Sequence, residues 1–124
     1  MPYVSIIICH HQGSLVDWAI STLRKQRKVK FEIIVISSQP NFYRKGVDKI
    51  LHVPGEPAIK RNIGAQHAHG DYIAYFDDDV KADEDSVYEM LQVCKRDNVG
   101  MVFGKLLNME HPEMFDEAGG FLTW

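Results

Sequence analysis

The sequence predicts an α/β domain: a three-layer sandwich with a mainly parallel sheet and helices on both faces, and three observations carry that prediction. Short β-rich runs alternate with helix-patterned segments in the order β-α-β-β-α-β-α-β. The first two runs, Val4-Ser5-Ile6-Ile7-Ile8-Cys9 and Glu32-Ile33-Ile34-Val35-Ile36-Ser37, are nearly continuous in apolar residues, as strands covered on both faces are. The length of 124 residues, with 45% hydrophobic and 25% charged, fits one soluble globular domain over 1–124 with a core of its own.

Each element has a local reason. Val4 to Cys9 is the first strand. Ser14 is placed to cap the next helix, with Asp17 three residues on in a capping-box-like arrangement, and Leu15, Trp18, Ala19 and Leu23 form its apolar stripe. Glu32 to Ser37 is the second strand and Lys49 to Val53 a weaker third. Pro57 suits the first turn of a second helix, which runs through Ala58, Ile59, Asn62, Ile63 and Gln66 and stops near Gly70. Gly64 inside it costs ~1 kcal/mol against alanine, so close backbone packing or ligand approach is the expected reason for it. Asp71 to Phe76 is the next strand, Asp83 can cap a third helix, and Val87, Met90, Leu91 and Cys94 share that helix's apolar face. Val99 to Leu107 reads as a last strand, broken by Gly104.

Charge and composition exclude several classes. A net charge of -3 and the lack of a long basic block give no electrostatic reason for nucleic acid, and Arg24-Lys25-Gln26-Arg27-Lys28 reads as a solvated helix end. Cys9 and Cys94 read as small buried hydrophobes rather than a disulfide framework. No stretch approaches the ~18 to 20 apolar residues that span a bilayer. The start, Met1-Pro2-Tyr3-Val4, lacks the features of a signal peptide. A cytoplasmic location is expected, with a membrane-peripheral one as the alternative.

The chemistry concentrates in Asp77-Asp78-Asp79, at the end of the apolar stretch Tyr72-Ile73-Ala74-Tyr75-Phe76. Three adjacent carboxylates repel and raise one another's pKa, so they need open water or a bound cation to stay ionised. Oxygen-only ligands suit Mg²⁺ or Mn²⁺, typically held by one or two carboxylates while substrate phosphates complete the shell. The bland alternative is a solvated acidic turn before a helix. In a parallel α/β sheet, ligands sit outside the carboxyl ends of the strands, where the loops after Cys9, Ser37 and Phe76 lie.

Four segments in order and spacing carry a resemblance: Val4-Ser5-Ile6-Ile7-Ile8, Phe31-Glu32-Ile33-Ile34-Val35-Ile36, Lys60-Arg61-Asn62-Ile63-Gly64-Ala65, and Gly70-Asp71-Tyr72-Ile73-Ala74-Tyr75-Phe76-Asp77-Asp78-Asp79. Together they resemble the N-terminal, nucleotide-sugar-binding half of family-2 glycosyltransferases with the GT-A fold. The D-x-D alone is weak, whereas the Arg-Asn-x-Gly helix followed by Gly-Asp-Tyr-Ile and D-x-D is specific. The resemblance implies a nucleotide-diphosphate-sugar donor, an unknown glycan or other acceptor, and Mn²⁺ or Mg²⁺ as cofactor. It places Cys9, His10, His11, Ser37, Arg61, Asp77 and Asp78 around the donor. Asp79, with Asp77, would ligate the metal. Asp77 would face the ribose or sugar side and Asp78 point away from it, while Asn62 and Gly64 shape helix packing.

Three departures from the family's pattern stand out. Many relatives carry an acidic pair after the second strand, one member of which holds the nucleobase; this chain has Ser37-Ser38-Gln39-Pro40. Serine hydrogen-bonds a base edge more weakly than a carboxylate does. The common Pro-Thr-Tyr-Asn type of loop after the first strand is replaced by Cys9-His10-His11-Gln12, whose adjacent histidines diverge on an extended segment and read as loop residues lining the nucleotide pocket. His67 and His69 read as the exposed end of the Arg61 helix, with no partner for a zinc site. The third departure is the end. No residue matches the general base that inverting transfer requires, and Asp116 and Glu117 stand on a loop of undefined orientation. The sequence therefore reads as a shortened, donor-binding part, with the general base outside it. Phe103, Leu106, Leu107, Phe115, Phe121 and Trp124 would then be uncovered and favour a homo-oligomer.

The reading is thus a metal-dependent, inverting glycosyltransferase whose donor and metal site this chain supplies. The alternative is a nucleotide-binding or interaction module without transferase activity. A haloacid-dehalogenase-type phosphotransferase, which Asp77-x-Asp79-Val80 imitates, is weaker because such enzymes usually carry the motif near the chain start, whereas earlier strands precede it here.

Overall fold

The computed structural model describes residues 3–104, 106–107 and 115–117. The chain separates into two compact units, Met1–Asp85 and Ser86–Trp124. The first holds strands β1 (Tyr3–His10), β2 (Lys30–Ser37), β3 (Lys49–His52) and β4 (Tyr72–Asp77), with helices α1 (Val16–Leu23) and α2 (Pro57–Gln66). The second holds helix α3 (Ser86–Asp97) and strands β5 (Leu106–Leu107) and β6 (Phe115–Glu117), paired antiparallel.

The four strands of the first unit form one all-parallel sheet in the order β3-β2-β1-β4. The α/β fold expected from the alternation of β-rich and helical segments is therefore present. β1 and β2 are central, which explains their composition: Val4, Ile6, Ile7, Ile8, Ile33, Ile34, Val35 and Ile36 are all at most 1% exposed.

One face is covered by α2. Ile7, Ile34 and Ile36 pack there with Leu51, Val53, Ala65 and Ala68. Gly64 rests directly on the sheet: a Cβ at this position would lie 2.7 Å from Ile7 Cγ2 and 2.8 Å from Ile36 Cδ1. Close approach is thus the reason for the mid-helix glycine. The opposite face belongs to α1. Arg24, just past that helix, sits 5.2 Å over the ring of Phe31, which shares its side of β2 with Ile33 and Val35.

At the amino edge of the sheet a buried polar network ties the α2–β4 turn down. The Ser5 hydroxyl donates to Glu32 Oε1 at 2.6 Å, the His69 N–H donates to the same oxygen at 2.8 Å, and the Gly70 N–H donates to Ser5 Oγ at 2.8 Å. A segment after the acidic run is anchored to α1: Ala82 N–H donates to Thr22 Oγ1, Gln26 Nε2 to the Asp83 carbonyl, and Arg27 pairs with Asp85.

Several local expectations are corrected. Ser14 does not cap α1; Leu15 occupies the N-cap without a side-chain bond, and Asp17 pairs with Arg44 at 2.6 Å instead. The buried stripe of α1 is Val16, Ala19, Ile20 and Leu23, while Leu15 and Trp18 are exposed, because the helix is rotated by one position from the predicted face. α2 ends at Gln66 rather than near Gly70, since residues 67–70 turn to meet the sheet. Asp83 does not begin α3; its Oδ1 accepts from the Asp85 N–H in a local turn and the helix starts at Ser86. His69 is more than an exposed helix end, being a partner of Glu32. The strand expected over Val99 to Leu107 is reduced to Leu106–Leu107, and residues 101–104 have no regular structure. Among the apolar residues expected to be uncovered, Phe103 is 53% exposed; Leu106, Leu107 and Phe115 are described as backbone, and Phe121 and Trp124 lie outside the described residues. No described helix is long and apolar enough to cross a membrane.

Candidate functional site

The chain winds outward from β1 through β2 to β3, then returns to the other side of β1 with β4. Strand order reverses between β1 and β4, and in open α/β sheets ligands bind outside the carboxyl ends of the strands at such a point. Cys9 on β1 is in register with Asp77 on β4, so Asp77 and the turn residues Asp78 and Asp79 stand at that carboxyl edge. Asp77 and Asp79 are exposed and Asp78 is half-buried.

α2 runs antiparallel to the strands, so its amino end lies at this same edge. Arg61 on its first turns is 3.7 Å from Asp77 Oδ1, and the Cys9 thiol lies 3.9 Å from the Pro57 carbonyl. Burial pushes the Cys9 thiol up; Asp77 and Asp78 add to that rise, while Arg61 and Lys60 oppose it. Cys9 therefore feels both the cations of α2 and the acidic run of β4. Structure brings together Cys9, Arg61, Asp77 and Asp78 as the sequence reading grouped them.

The histidines separate, as extended backbone requires. His11 is exposed, whereas His10 is fully buried and in register with Ser37. His10 Nε2 meets the Gly13 carbonyl at 3.1 Å and Nδ1 meets Ser37 Oγ at 2.8 Å. A carbonyl can only accept, so Nε2 carries a proton, and in the neutral ring Nδ1 then accepts from the Ser37 hydroxyl. Ser37 Oγ in turn accepts from the Gln39 N–H at 3.0 Å. The Phe42 ring stacks at 4.4 Å from His10, and the Arg44 guanidinium lies 4.7 Å over Phe42. His10 and Ser37 are thus engaged inside the protein, where they set the loop that follows β2.

Two residues that sequence reasoning passed over complete the edge. Lys60 is 2% exposed, and its Nζ lies 3.3 Å from the His10 carbonyl. Ser38 donates its N–H to that same carbonyl at 2.9 Å, while its buried Oγ has no hydrogen-bond partner. Lys60 had a signal: it precedes Gly64 by four residues, hence shares the core-facing stripe of α2, where a lysine is out of place. Ser38 belongs to the Ser37-Ser38-Gln39-Pro40 segment that replaces the family's acidic pair, but nothing there marks its burial or its unpartnered hydroxyl.

The donor set at the acidic run suits a hard cation. Asp77 and Asp79 offer carboxylate oxygens, and among the described residues no group of three or more His, Cys, Asp or Glu side chains converges. Such a pair matches Mg²⁺ or Mn²⁺ shared with phosphate oxygens, not a closed protein cage. A surface groove of about 360 Å³, lined by Asp17, Ile20, Ser21, Arg24, Arg44 and Gly46 among others, contains none of these residues.

Comparison with known proteins bears on the fold. Solved structures of TarS from S. aureus superpose on the chain with TM-scores of 0.64 and 0.62 at 17% and 16% identity. They match 86% and 77% of this chain, which itself spans 21% and 33% of theirs, so the likeness is one of fold. No curated protein sequence matches the chain. The sequence profile described as glycosyl transferase family 2 matches residues 5–112, from the first strand past the acidic run, and the chain accordingly belongs to glycosyl transferase family 2, with a GT-A fold.

Proposed function

We propose that this chain supplies the donor and metal site of an inverting, metal-dependent glycosyltransferase that uses a nucleotide-diphosphate-sugar. The observation that carries the reading is the placement of Asp77, Asp78 and Asp79 at the carboxyl end of β4, beside the point where strand order reverses. Asp77 and Asp79 would hold Mg²⁺ or Mn²⁺, which when bound would offset charge on the departing diphosphate. Arg61, already 3.7 Å from Asp77, would orient the diphosphate, and Asp77 would also face the sugar side of the donor. The loop after β2, held by Ser37, His10 and Phe42, would border the nucleoside, with Cys9 and His11 beside it. A carboxylate taking the acceptor's proton would come from outside this chain.

The test is calorimetric titration of UDP, GDP and dTDP in Mn²⁺ and in chelator. One diphosphate should bind in metal alone, and Asp79→Ala should lose at least about tenfold in affinity, ~1.4 kcal/mol. Binding indifferent to chelator and to Asp79 would overturn the metal reading. The alternative, a nucleotide-binding module without transfer, is favoured by Ser37, whose hydroxyl is committed to His10 where relatives carry an acid. It predicts binding without turnover when the chain is joined to any acceptor-binding part. Self-association belongs to the proposal too, since Tyr72, Ile73 and Tyr75 of β4 are exposed. Sedimentation should depend on concentration, and a monomer throughout would count against it.

A further inference from the structure

Lys60 stands where its helix should bury an apolar side chain. It shares the inward stripe of α2 with Gly64, which touches Ile7 and Ile36, and it lies one turn nearer the carboxyl edge. Its aliphatic stem is buried there and its ammonium reaches the His10 carbonyl at 3.3 Å. That oxygen already accepts the Ser38 N–H at 2.9 Å. Among the described residues no carboxylate lies within ion-pair distance of Lys60, and Asp77 is matched by Arg61. An ammonium has three donors, and one carbonyl is weak compensation for taking a full charge out of water.

A second underused group is anchored at the same His10 carbonyl. Ser38 Oγ is buried without a partner, on the residue whose backbone shares the His10 carbonyl with Lys60. Buried hydroxyls are normally paired, so a lone one, on a residue that shares its backbone acceptor with an undercompensated cation, is a donor waiting for an acceptor. Both groups can donate, and the cation favours a negatively charged partner.

We infer that Lys60 Nζ and Ser38 Oγ form an oxyanion subsite at the carboxyl ends of β1 and β2, which receives a phosphoryl oxygen of the bound diphosphate. The inference rests on the donor-site reading and adds a cation to it beyond Arg61. Lys60 then differs from Arg61 in kind: Arg61 is exposed and paired with Asp77, so it holds the diphosphate through a screened contact, whereas Lys60 acts from the protein interior. Its contribution should resist salt where that of Arg61 fades.

Titration of the full chain with inorganic pyrophosphate in chelator tests the subsite, followed by the metal-loaded nucleoside diphosphates. Pyrophosphate should raise the melting temperature of the wild-type chain and leave Lys60→Met unmoved. Lys60→Met should bind pyrophosphate about tenfold or more weakly, at low and high salt alike, and Ser38→Ala should lose a smaller factor. Lys60→Met should itself melt no lower than wild type, since methionine fills the same apolar channel without a charge. Lys60→Gln, which keeps a hydrogen-bonding end, reads the same loss of affinity should the methionine variant fail to fold. Wild-type affinity for pyrophosphate in Lys60→Met or Lys60→Gln, or no binding to wild type, would overturn the inference. Normal metal-dependent diphosphate binding in Lys60→Met would sink the subsite and leave the donor site standing. Lys60-dependent pyrophosphate binding with no nucleotide binding would do the reverse.

Discussion

Glu32 shows how much a single carboxylate can organise away from any site. It is 7% exposed and accepts from the Ser5 hydroxyl and the His69 N–H, joining residues 27 and 37 positions away in the chain. Burial works to raise its pKa, but the hydrogen bonds from Ser5 and from the His69 backbone and ring outweigh it and hold the carboxyl below its usual range. A lowered folded-state pKa means that the stabilisation is complete above the unfolded value, ~4.3, and is lost as pH falls through the folded one. Glu32→Gln should therefore lower stability by about 1–3 kcal/mol at neutral pH and flatten its decline in acid. Urea denaturation between pH 7 and 3 checks both, and parallel curves for the two proteins would refute the role. At this scale the sequence was least informative. Glu32 reads only as the start of a strand, because its partners become neighbours through parallel pairing and a crossover helix.

Elements were easier to read where one physical cause dominated. β1 and β2 announce themselves because both faces are buried, which demands apolar residues throughout. The reason for Gly64 was also legible, and it gives a prediction of sign. Alanine gains ~1 kcal/mol of helix propensity there but forces a methyl against the stiff Ile7 side chain, an overpacking cost of about 1–3 kcal/mol. Gly64→Ala should melt below wild type, and a higher melting temperature would show that α2 can lift off the sheet at little cost. Boundaries failed where tertiary partners compete with local signals. Ser14 could cap α1 with Asp17 as its capping-box partner, but Asp17 finds Arg44, and Asp83 could cap α3 but bonds its own turn. The stretch after Val99 has strand-forming residues, yet only Leu106–Leu107 finds a strand to pair with among the described residues.

The sheet order β3-β2-β1-β4 is what turns these elements into a candidate site, because it sets the ends of β1 and β4 side by side. The acidic run and Arg61 were visible in sequence as charges in a specific pattern, and the fold brings them within 3.7 Å. Lys60 and Ser38 were not assigned: spacing marks Lys60 only as a lysine on the core-facing stripe of α2, and it reveals neither how deeply that lysine is buried nor that Ser38 Oγ lacks a partner. His10 changed character for the same reason: a histidine in a loop sequence became a buried strut between Ser37 and Gly13.

The claim that joins these scales is that a nucleoside diphosphate and its metal bind at the carboxyl edge of the first unit. Mn²⁺ is paramagnetic and broadens the NMR signals of nearby nuclei, so a ¹⁵N-labelled chain titrated with Mn²⁺ and the best-binding diphosphate reads the position of the metal directly. The account predicts that the amides of Cys9, Arg61, Asp77, Asp78 and Asp79 broaden first, while those of Ser5, Glu32 and His69 at the opposite edge stay sharp. Broadening centred on the amino edge, or spread evenly over the surface, would contradict it.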